Sequence, residues 1–182
     1  MAEGGGSDMK LEAIKSALKA VASVPMTETD HAAKGYHLDV LATPERLVDM
    51  VLCLDREGFF IEAITGVDWL APKAPPKAPK AEGEAGEEAP AQEAEEPKAP
   101  DEMEAVYDFN HYDELCRIVL RVRVPRDNPH VPSICAVYPG ADWHERETHD
   151  FFGIVFDGHP NLEPLLLPED ADFHPLRKDF TV

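Results

Sequence analysis

Apolar residues recur at helical spacing near the start of the chain. This spacing predicts an amphipathic helix that begins after a cap at Ser7 or Asp8. Apolar and polar residues then alternate over 36–41, which predicts a strand. The apolar helical positions are Leu11, Ile14, Leu18 and Val21.

A second helix is predicted directly after this strand. Thr43 suits its N-cap, Pro44 suits its first turn and Gly58 lies past its end. Strand character returns over 60–69, so that 36–69 is predicted to form a strand, helix, strand unit. The buried stripe of the helix is expected to consist of Leu47, Met50, Val51 and Leu54.

Two more alternating segments, 103–109 and 116–124, are joined by a polar stretch and predict an antiparallel hairpin. Arg117, Arg121 and Arg123 share one face of its second strand, which is either the solvated face or a contact for a carboxylate-bearing partner. Residues 131–142 predict a short strand or one helical turn. The fold class that follows is α+β: a mixed, mainly antiparallel sheet of about four strands, with helices mainly on one face and an extended C-terminal tail.

Residues 71–102 contain seven of the 17 prolines and no aromatic or branched aliphatic residue. Such a segment cannot bury enough apolar surface to offset the entropy of ordering, so it is predicted to be a disordered acidic insert. The insert is either a solvated loop or an interaction arm. It separates an N-terminal half (1–70) from a C-terminal half (103–157) of one domain, and a tail over 158–182 follows.

The formal net charge of −19 excludes a nucleic-acid binder, because phosphate contacts need clustered Lys and Arg. No apolar run approaches the roughly 20 residues that a membrane helix needs, and no apolar signal segment opens the chain, so a cytoplasmic protein is expected. The three cysteines have no CxxC spacing and are expected to be buried free thiols.

The segment 145–162, ERETHDFFGIVFDGHPNL, concentrates acids and histidines. It predicts a helix with Asp142 as N-cap, Glu145 in the capping-box position and Gly153 at its end. Helical phase places five residues on one expected buried face: Trp143, Glu147, Asp150, Phe151 and Ile154.

Glu147 and Asp150 therefore interrupt an apolar stripe. An unpaired buried carboxylate is costly, so each should be ionised against a cation, raised in pKa or covered by a partner. Arg146, Arg177 and Lys178 are the candidate cations within the chain.

Two kinds of chemistry find no support in this segment. His144 and His149 are five residues apart and diverge by about 140°, unlike the histidines of a zinc-protease helix. No nucleophile motif or phosphate loop is present for Glu147 and Asp150 to serve as acid and base. The sequence predicts no catalytic, cofactor-binding or metal-binding residue.

The ordered series of residues from Glu145 onward resembles the signature of the 30 kDa subunit family of respiratory NADH:quinone oxidoreductase, complex I. The same family includes the equivalent subunit of energy-converting hydrogenases, both carbon monoxide-induced and formate-linked. The resemblance is close over the last 38 residues. The signature and partner-docking positions are Glu145, Arg146, Glu147, Asp150, Gly153, Phe156, Gly158, His159, Pro160, Leu162, Arg177, Lys178, Asp179 and Phe180.

The resemblance implies a cofactor-free subunit on the cytoplasmic side of the cell membrane, peripheral and held there through its complex. It would brace the quinone-site subunit, which is related to the hydrogenase large subunit, and would lie near an iron–sulfur subunit. NAD(H), flavin, iron–sulfur clusters and quinone would belong to the complex, in which electron transport drives ion translocation. Nickel–iron would replace the quinone site in the hydrogenase alternative.

Two departures from the respiratory pattern favour the hydrogenase alternative, although the respiratory complex stays the first assignment because the signature is defined there. Glu163 and Pro164 stand where basic residues are common, and His149 stands where an aromatic often precedes the aspartate. A metal-dependent or acid/base enzyme and a soluble electron carrier are the alternatives of other classes.

The tail contains four prolines that deny it a continuous helix or central strand, yet it is rich in leucine and phenylalanine. It therefore needs a surface to lie on, either its own domain or a partner subunit. A partner is the favoured interpretation, with Arg177, Lys178 and Asp179 orienting the contact and the leucines supplying its area.

Overall fold

The computed structural model describes residues 5–70 and 101–181. The helices are α1 (Gly5–Val21), α2 (His31–Lys34), α3 (Pro44–Arg56) and α4 (Ala141–Phe152). The strands are β1 (Met26–Glu28), β2 (Leu38–Ala42), β3 (Phe59–Asp68), β4 (Glu102–His111), β5 (Arg117–Pro125), β6 (His130–Pro132) and β7 (Val155–Asp157).

Five of these strands form one mixed sheet in the order β1-β2-β5-β4-β3. The predicted hairpin is confirmed, since β4 and β5 pair antiparallel. β2 and β5 are parallel, whereas β1 with β2 and β3 with β4 are antiparallel. The α+β class is confirmed, but β1 raises the expected four strands to five. Three residues are too few to show a strand period, so β1 could not be recognised from the pattern.

A small parallel ladder of β6 and β7 lies outside this sheet. The segment 131–142 contains both of the structures predicted as alternatives for it. Its first residues belong to β6, and the amide of Tyr138 then bonds the carbonyl of Ile134 in a helical turn.

Helix α3 begins and ends where the sequence predicted. Thr43 is its N-cap, Pro44 is its first residue and Gly58 adopts a φ of 84° after its end. All four residues of its predicted stripe are buried. Helix α1 differs, because it begins at Gly5 and includes Ser7 and Asp8, so the predicted cap is wrong.

The core lies between the helices and one face of the sheet. Ile14 and Leu18 of α1 are buried together with the α3 stripe and the alternate residues of the central strands, such as Leu120. Cys116 is a buried free thiol, as expected, whereas Cys53 and Cys135 are half-buried.

The other face of the sheet carries the arginine stripe. Its partners are acids of the same sheet: Arg117 pairs with Glu62, and Arg121 with both Asp39 and Glu104. The stripe is partly solvated, as one of the two alternatives predicted, and it is also neutralised within the chain. The spacing along one strand could not show which acids neighbouring strands would place beside it.

Most of the predicted insert, 71–100, lies outside the described residues, and Glu102 already belongs to β4. Within 5–70 and 101–181, no helix is long and apolar enough to cross a bilayer.

Candidate functional site

Helix α4 carries the signature and starts earlier than predicted. Gly140 is its N-cap, and the amide of Ala141 bonds the carbonyl of Tyr138, so the preceding turn leads directly into the helix. Asp142 therefore lies inside the first turn, and the predicted capping box with Glu145 is wrong. Gly153 ends the helix in the left-handed conformation, as predicted, with a φ of 73°.

The buried face of α4 also differs from the predicted one. Trp143 is 63% exposed and Glu147 is exposed, whereas Glu145 and Thr148 are buried. On this inward face the Thr148 hydroxyl donates to the carbonyl of Ile64. Assigning Trp143 to the core from its apolar character led to the wrong helical phase.

Glu145 is fully buried and fixes the loop before α4. Its carboxylate accepts hydrogen bonds from the Ser133 hydroxyl at 2.6 Å, the Ile134 amide at 2.7 Å and the Cys135 thiol at 3.3 Å. Burial nevertheless raises the pKa of Glu145, because the charged form loses its hydration. The Tyr107 hydroxyl is buried without a hydrogen-bond partner in the described part of the chain.

A thiol, a carboxylate and an imidazole lie within 4.8 Å of one another in a cluster of Cys135, Glu145 and His159. No spacing in the sequence indicated this grouping. The Asn161 amide donates to Nδ1 of His159, so the proton of the neutral ring is on Nε2. That nitrogen faces the carbonyl of Asp142 at 3.3 Å. The cluster brings together side chains of the loop, the helix and the tail, and its three ligand-type atoms form a grouping that could hold a metal ion.

Asp150 binds the tail through backbone amides. Its Oδ2 atom accepts the N–H groups of Leu165, Leu166 and Leu167 at 2.9, 2.7 and 3.2 Å. Burial alone would raise the pKa of Asp150, but the three amides outweigh burial and hold the pKa below its ordinary value. The carboxylate is thus matched within the chain by backbone dipoles, whereas the sequence had left open a cation, a raised pKa or a covering partner.

The C-terminus of α4 is capped by the same tail. A helix end leaves its last carbonyls without partners, and tail residues supply donors for them. His174 Nδ1 donates to the carbonyl of Asp150, the Leu176 amide to that of Phe151, and Arg177 Nε to that of Phe152 at 2.6 Å. The positive charge of Arg177 also interacts favourably with the negative C-terminal end of the helix dipole.

Arg146 and the last residues of the tail complete the attachment. Arg146 donates to the carbonyls of Glu163 and Pro164, both at 3.0 Å. Asp68, at the end of β3, accepts the Lys178 amide and pairs with Arg126, which also pairs with Asp179 at 2.6 Å. We name the clasp the whole set of bonds that join residues 133–153, Ile64, Asp68 and Arg126 with one another and with the tail.

The remaining signature residues have structural positions. Phe156 is buried in the core, and Leu162 packs against the core from outside. Gly158 has a φ of 84°, which favours glycine in the turn after β7. Pro160 is exposed, and Phe180 stacks on Phe173 at 5.5 Å between ring centroids.

The clasp unites residues that sequence reasoning found separately and adds some that it missed. Arg146, Asp150, Gly153 and Arg177 were all predicted. Ser133, Thr148 and Asp68 were not, because a single hydroxyl or acid at the end of a strand carries no pattern.

Comparison with known proteins agrees with the signature. Residues 40–182 match the family described as Respiratory-chain NADH dehydrogenase, 30 Kd subunit. An NADH-quinone oxidoreductase C subunit from Roseiflexus sp. (strain RS-1) is 39% identical over 146 residues, which cover 78% of this chain and 68% of that protein. The chain belongs to the 30 kDa subunit family of respiratory-chain NADH dehydrogenase.

Other relatives are more similar over a shorter span. The NADH-quinone oxidoreductase C subunit of Mycobacteroides abscessus is 54% identical over 79 residues, 43% of this chain. The match covers 35% of that protein, so the chain spans about a third of the length of such mycobacterial relatives.

Two solved structures share the fold. One is described as Nqo5 of the trypsin-resistant fragment (1-134), with a TM-score of 0.59 and 26% identity over 85% of this chain and 100% of that chain. The other belongs to a membrane-bound sulfane sulfur reductase, an archaeal respiratory membrane complex. Its TM-score is 0.68 at 22% identity, over 95% of this chain and 86% of that chain, a likeness of fold.

Proposed function

We propose that this chain is a non-catalytic, cofactor-free subunit of a membrane-associated NADH:quinone oxidoreductase complex, in which it braces the quinone-site subunit. Redox centres, quinone reduction and ion translocation belong to other subunits, and the chain lies peripherally on the cytoplasmic side. The observation that carries this proposal is the clasp, which uses the signature groups to fix the tail against the domain.

The chemistry of the clasp favours a structural role over acid/base catalysis. A catalytic acid or base must be free to exchange a proton with a substrate. Glu145 and Asp150 instead each accept three hydrogen bonds from the chain itself, and the Arg177 guanidinium donates to a helix carbonyl. Their arrangement suits holding parts together.

The fixed tail presents apolar side chains to the outside. Leu166 is 60% exposed, Leu176 54% and Phe173 41%, and we name these three residues the tail surface. Apolar groups held outward by a rigid backbone lose little entropy on binding, which favours their use as partner contacts. The hydrogenase-large-subunit-like partner and a neighbouring iron–sulfur subunit are the proposed contacts.

The test is co-purification of the tagged full-length chain from its host membranes. We expect a stoichiometric complex that contains the large subunit, and we expect Leu166→Asp to deplete it. Leu115→Asp, at a leucine that is 65% exposed in the turn between β4 and β5, is the matched control. A lone polypeptide, or equal effects of the two variants, would contradict the proposal.

Two further readouts accompany this purification. The isolated chain should be colourless and free of stoichiometric metal by elemental analysis; bound flavin, iron or nickel would refute its cofactor-free status. A co-purified large subunit that retains four nickel-binding cysteines would assign the chain to an energy-converting hydrogenase in place of a quinone reductase.

A further inference from the structure

The exposed side of α4 and the strand β3 border a cavity of about 300 Å³. Its walls are residues 63–65 of β3, Leu176 of the tail, and five residues of α4: His144, Glu147, Thr148, Phe151 and Phe152. The clasp places Leu176 there, because its amide bonds the Phe151 carbonyl. The docked tail thus supplies one wall of the cavity, which is large enough for one side chain.

An apolar stripe of α4 runs alongside this cavity. Trp143, Glu147 and Phe151 are spaced four residues apart and lie near one another on the helix surface. They belong to the stripe that the sequence pattern predicted to be buried, yet Trp143 is largely exposed. Apolar side chains of a helix that their own domain covers incompletely, such as exposed Trp143 and half-buried Phe151, are typical of a protein–protein contact.

The charge at the cavity is one-sided. Among residues 5–70 and 101–181, Glu147 makes no hydrogen bond or ion pair, and His144 is the other titratable side chain in the walls. Arg146, the adjacent cation, is held by the carbonyls of Glu163 and Pro164 and lies over the Trp143 ring. A carboxylate at the mouth of an apolar cavity is complementary to a cation on an incoming segment.

The position of the cavity beside β3 adds to this assignment. β3 is an edge strand of the five-stranded sheet, and natural proteins cover or charge such edges. The Thr148 hydroxyl satisfies the carbonyl of Ile64 there. A segment seated in the cavity would cover the neighbouring part of the edge.

We propose that this cavity receives an apolar side chain from a segment of the partner subunit, and that a lysine or arginine next to that side chain pairs with Glu147. The proposal rests on the proposed function, since it assumes a partner subunit. It adds the cavity as a second contact beside the tail surface, and it states which chemical groups of the partner would occupy the cavity.

Charge reversal in the purified complex tests the ion pair. Glu147→Lys should reduce the recovered complex at least tenfold, because it places a cation opposite the partner's cation, and Glu147→Gln should have a smaller effect. Glu114→Lys, at an exposed acid in the turn between β4 and β5, is the matched control. Equal recovery for Glu147→Lys and Glu114→Lys would overturn the proposal. Both variants should retain the parental urea midpoint, since neither side chain is buried.

Cross-linking tests the occupant. A photoreactive phenylalanine analogue placed at position 144 in the assembled complex should capture a partner peptide that contains an apolar residue beside a lysine or arginine. Cross-links confined to this chain, or to a partner peptide without a cation, would overturn the proposal.

The outcomes separate the two proposals. If Leu166→Asp depletes the complex while Glu147→Lys does not, the partner binds through the tail surface and the cavity proposal fails alone. If the parental chain purifies without any partner, both fail.

Discussion

Glu104 has no exposed side-chain surface and is neutralised on the arginine face of the sheet. Its carboxylate accepts from Arg121 at 2.9 Å, Arg123 at 2.7 Å and Trp69 at 3.2 Å. Removing Glu104 takes these bonds away, but Arg121 keeps Asp39 and the Arg123 side chain is 39% exposed, so solvent moderates the loss. Glu104→Ala should therefore lower the free energy of unfolding by about 1.5–3 kcal/mol in urea titrations.

Glu102→Ala is the matched control for this prediction. Glu102 lies 3.9 Å from Arg123 and is partly exposed, so its loss should cost less than about 1 kcal/mol. Similar losses of unfolding free energy for Glu104→Ala and Glu102→Ala would show that Glu104 is not bonded to the arginines as described.

Gly66 permits the close approach of α4 to β3. A Cβ atom at this position would lie 2.5 Å from Cδ2 of Phe152, so the ring would have to move. Gly66→Ala should destabilise the domain by about 1–3 kcal/mol, the usual cost of overpacking. Thermal unfolding measures this, with Gly140→Ala as control because nothing lies within 4 Å there and its φ is −66°. A neutral Gly66→Ala would contradict the packing.

At the scale of elements, Asp150 joins α4 to the tail. Hydrogen bonds to a charged group contribute about 1.5–3 kcal/mol each, so the three tail amides should be the strongest part of the clasp. Asp150→Ala should increase hydrogen exchange of the Leu165–Leu167 amides at least tenfold while the strands remain protected. Asp172→Ala, at an exposed tail acid, should leave those amides unchanged; an increase there of equal size would refute the role of Asp150.

Attachment of the tail should also depend on pH. Burial, and after it the charge of Arg177, lowers the pKa of His174 below its ordinary 6.5, although the Asp150 carbonyl opposes this change. The docked tail thus favours neutral His174, so its stability is complete above pH 6.5 and declines as the pH falls below that value. Asp150 acts in a separate, more acidic window, because its pKa is lowered from 3.8.

Exchange protection of the Leu176 amide, corrected for intrinsic pH effects, measures this dependence between pH 7.5 and 5.5. We expect protection to fall towards pH 5.5 in the parental chain and to change less in His174→Gln. Constant protection of the Leu176 amide in the parental chain over this pH range would contradict the role assigned to His174.

For the whole molecule, the sequence predicted the elements that have a periodic pattern of apolar residues and missed the features that depend on single contacts. The buried stripe of α3 and the hairpin of β4 and β5 follow from periodicity, which reports burial of a face. The phase of α4 does not, because its buried face contains Glu145 and Thr148, and polar residues enter a core only where specific partners exist.

The same limit applied to the clasp. The sequence identified Arg146, Asp150 and Arg177 as charged groups that need partners, and an ion pair among them was one of the alternatives that it left open. Backbone amides and carbonyls are their actual partners, and a sequence of side chains carries no sign of these.

Hydrogen exchange over residues 141–181, measured on the isolated chain and on the membrane complex purified through it, tests the clasp and the docking role together. We predict that the Leu165–Leu167 amides are protected in both samples, and that peptides around Trp143 and Phe173–Leu176 gain protection only in the complex. A tail that exchanges freely in the isolated chain would contradict the clasp. Equal protection in the two samples around Trp143 and Phe173–Leu176 would contradict the docking role.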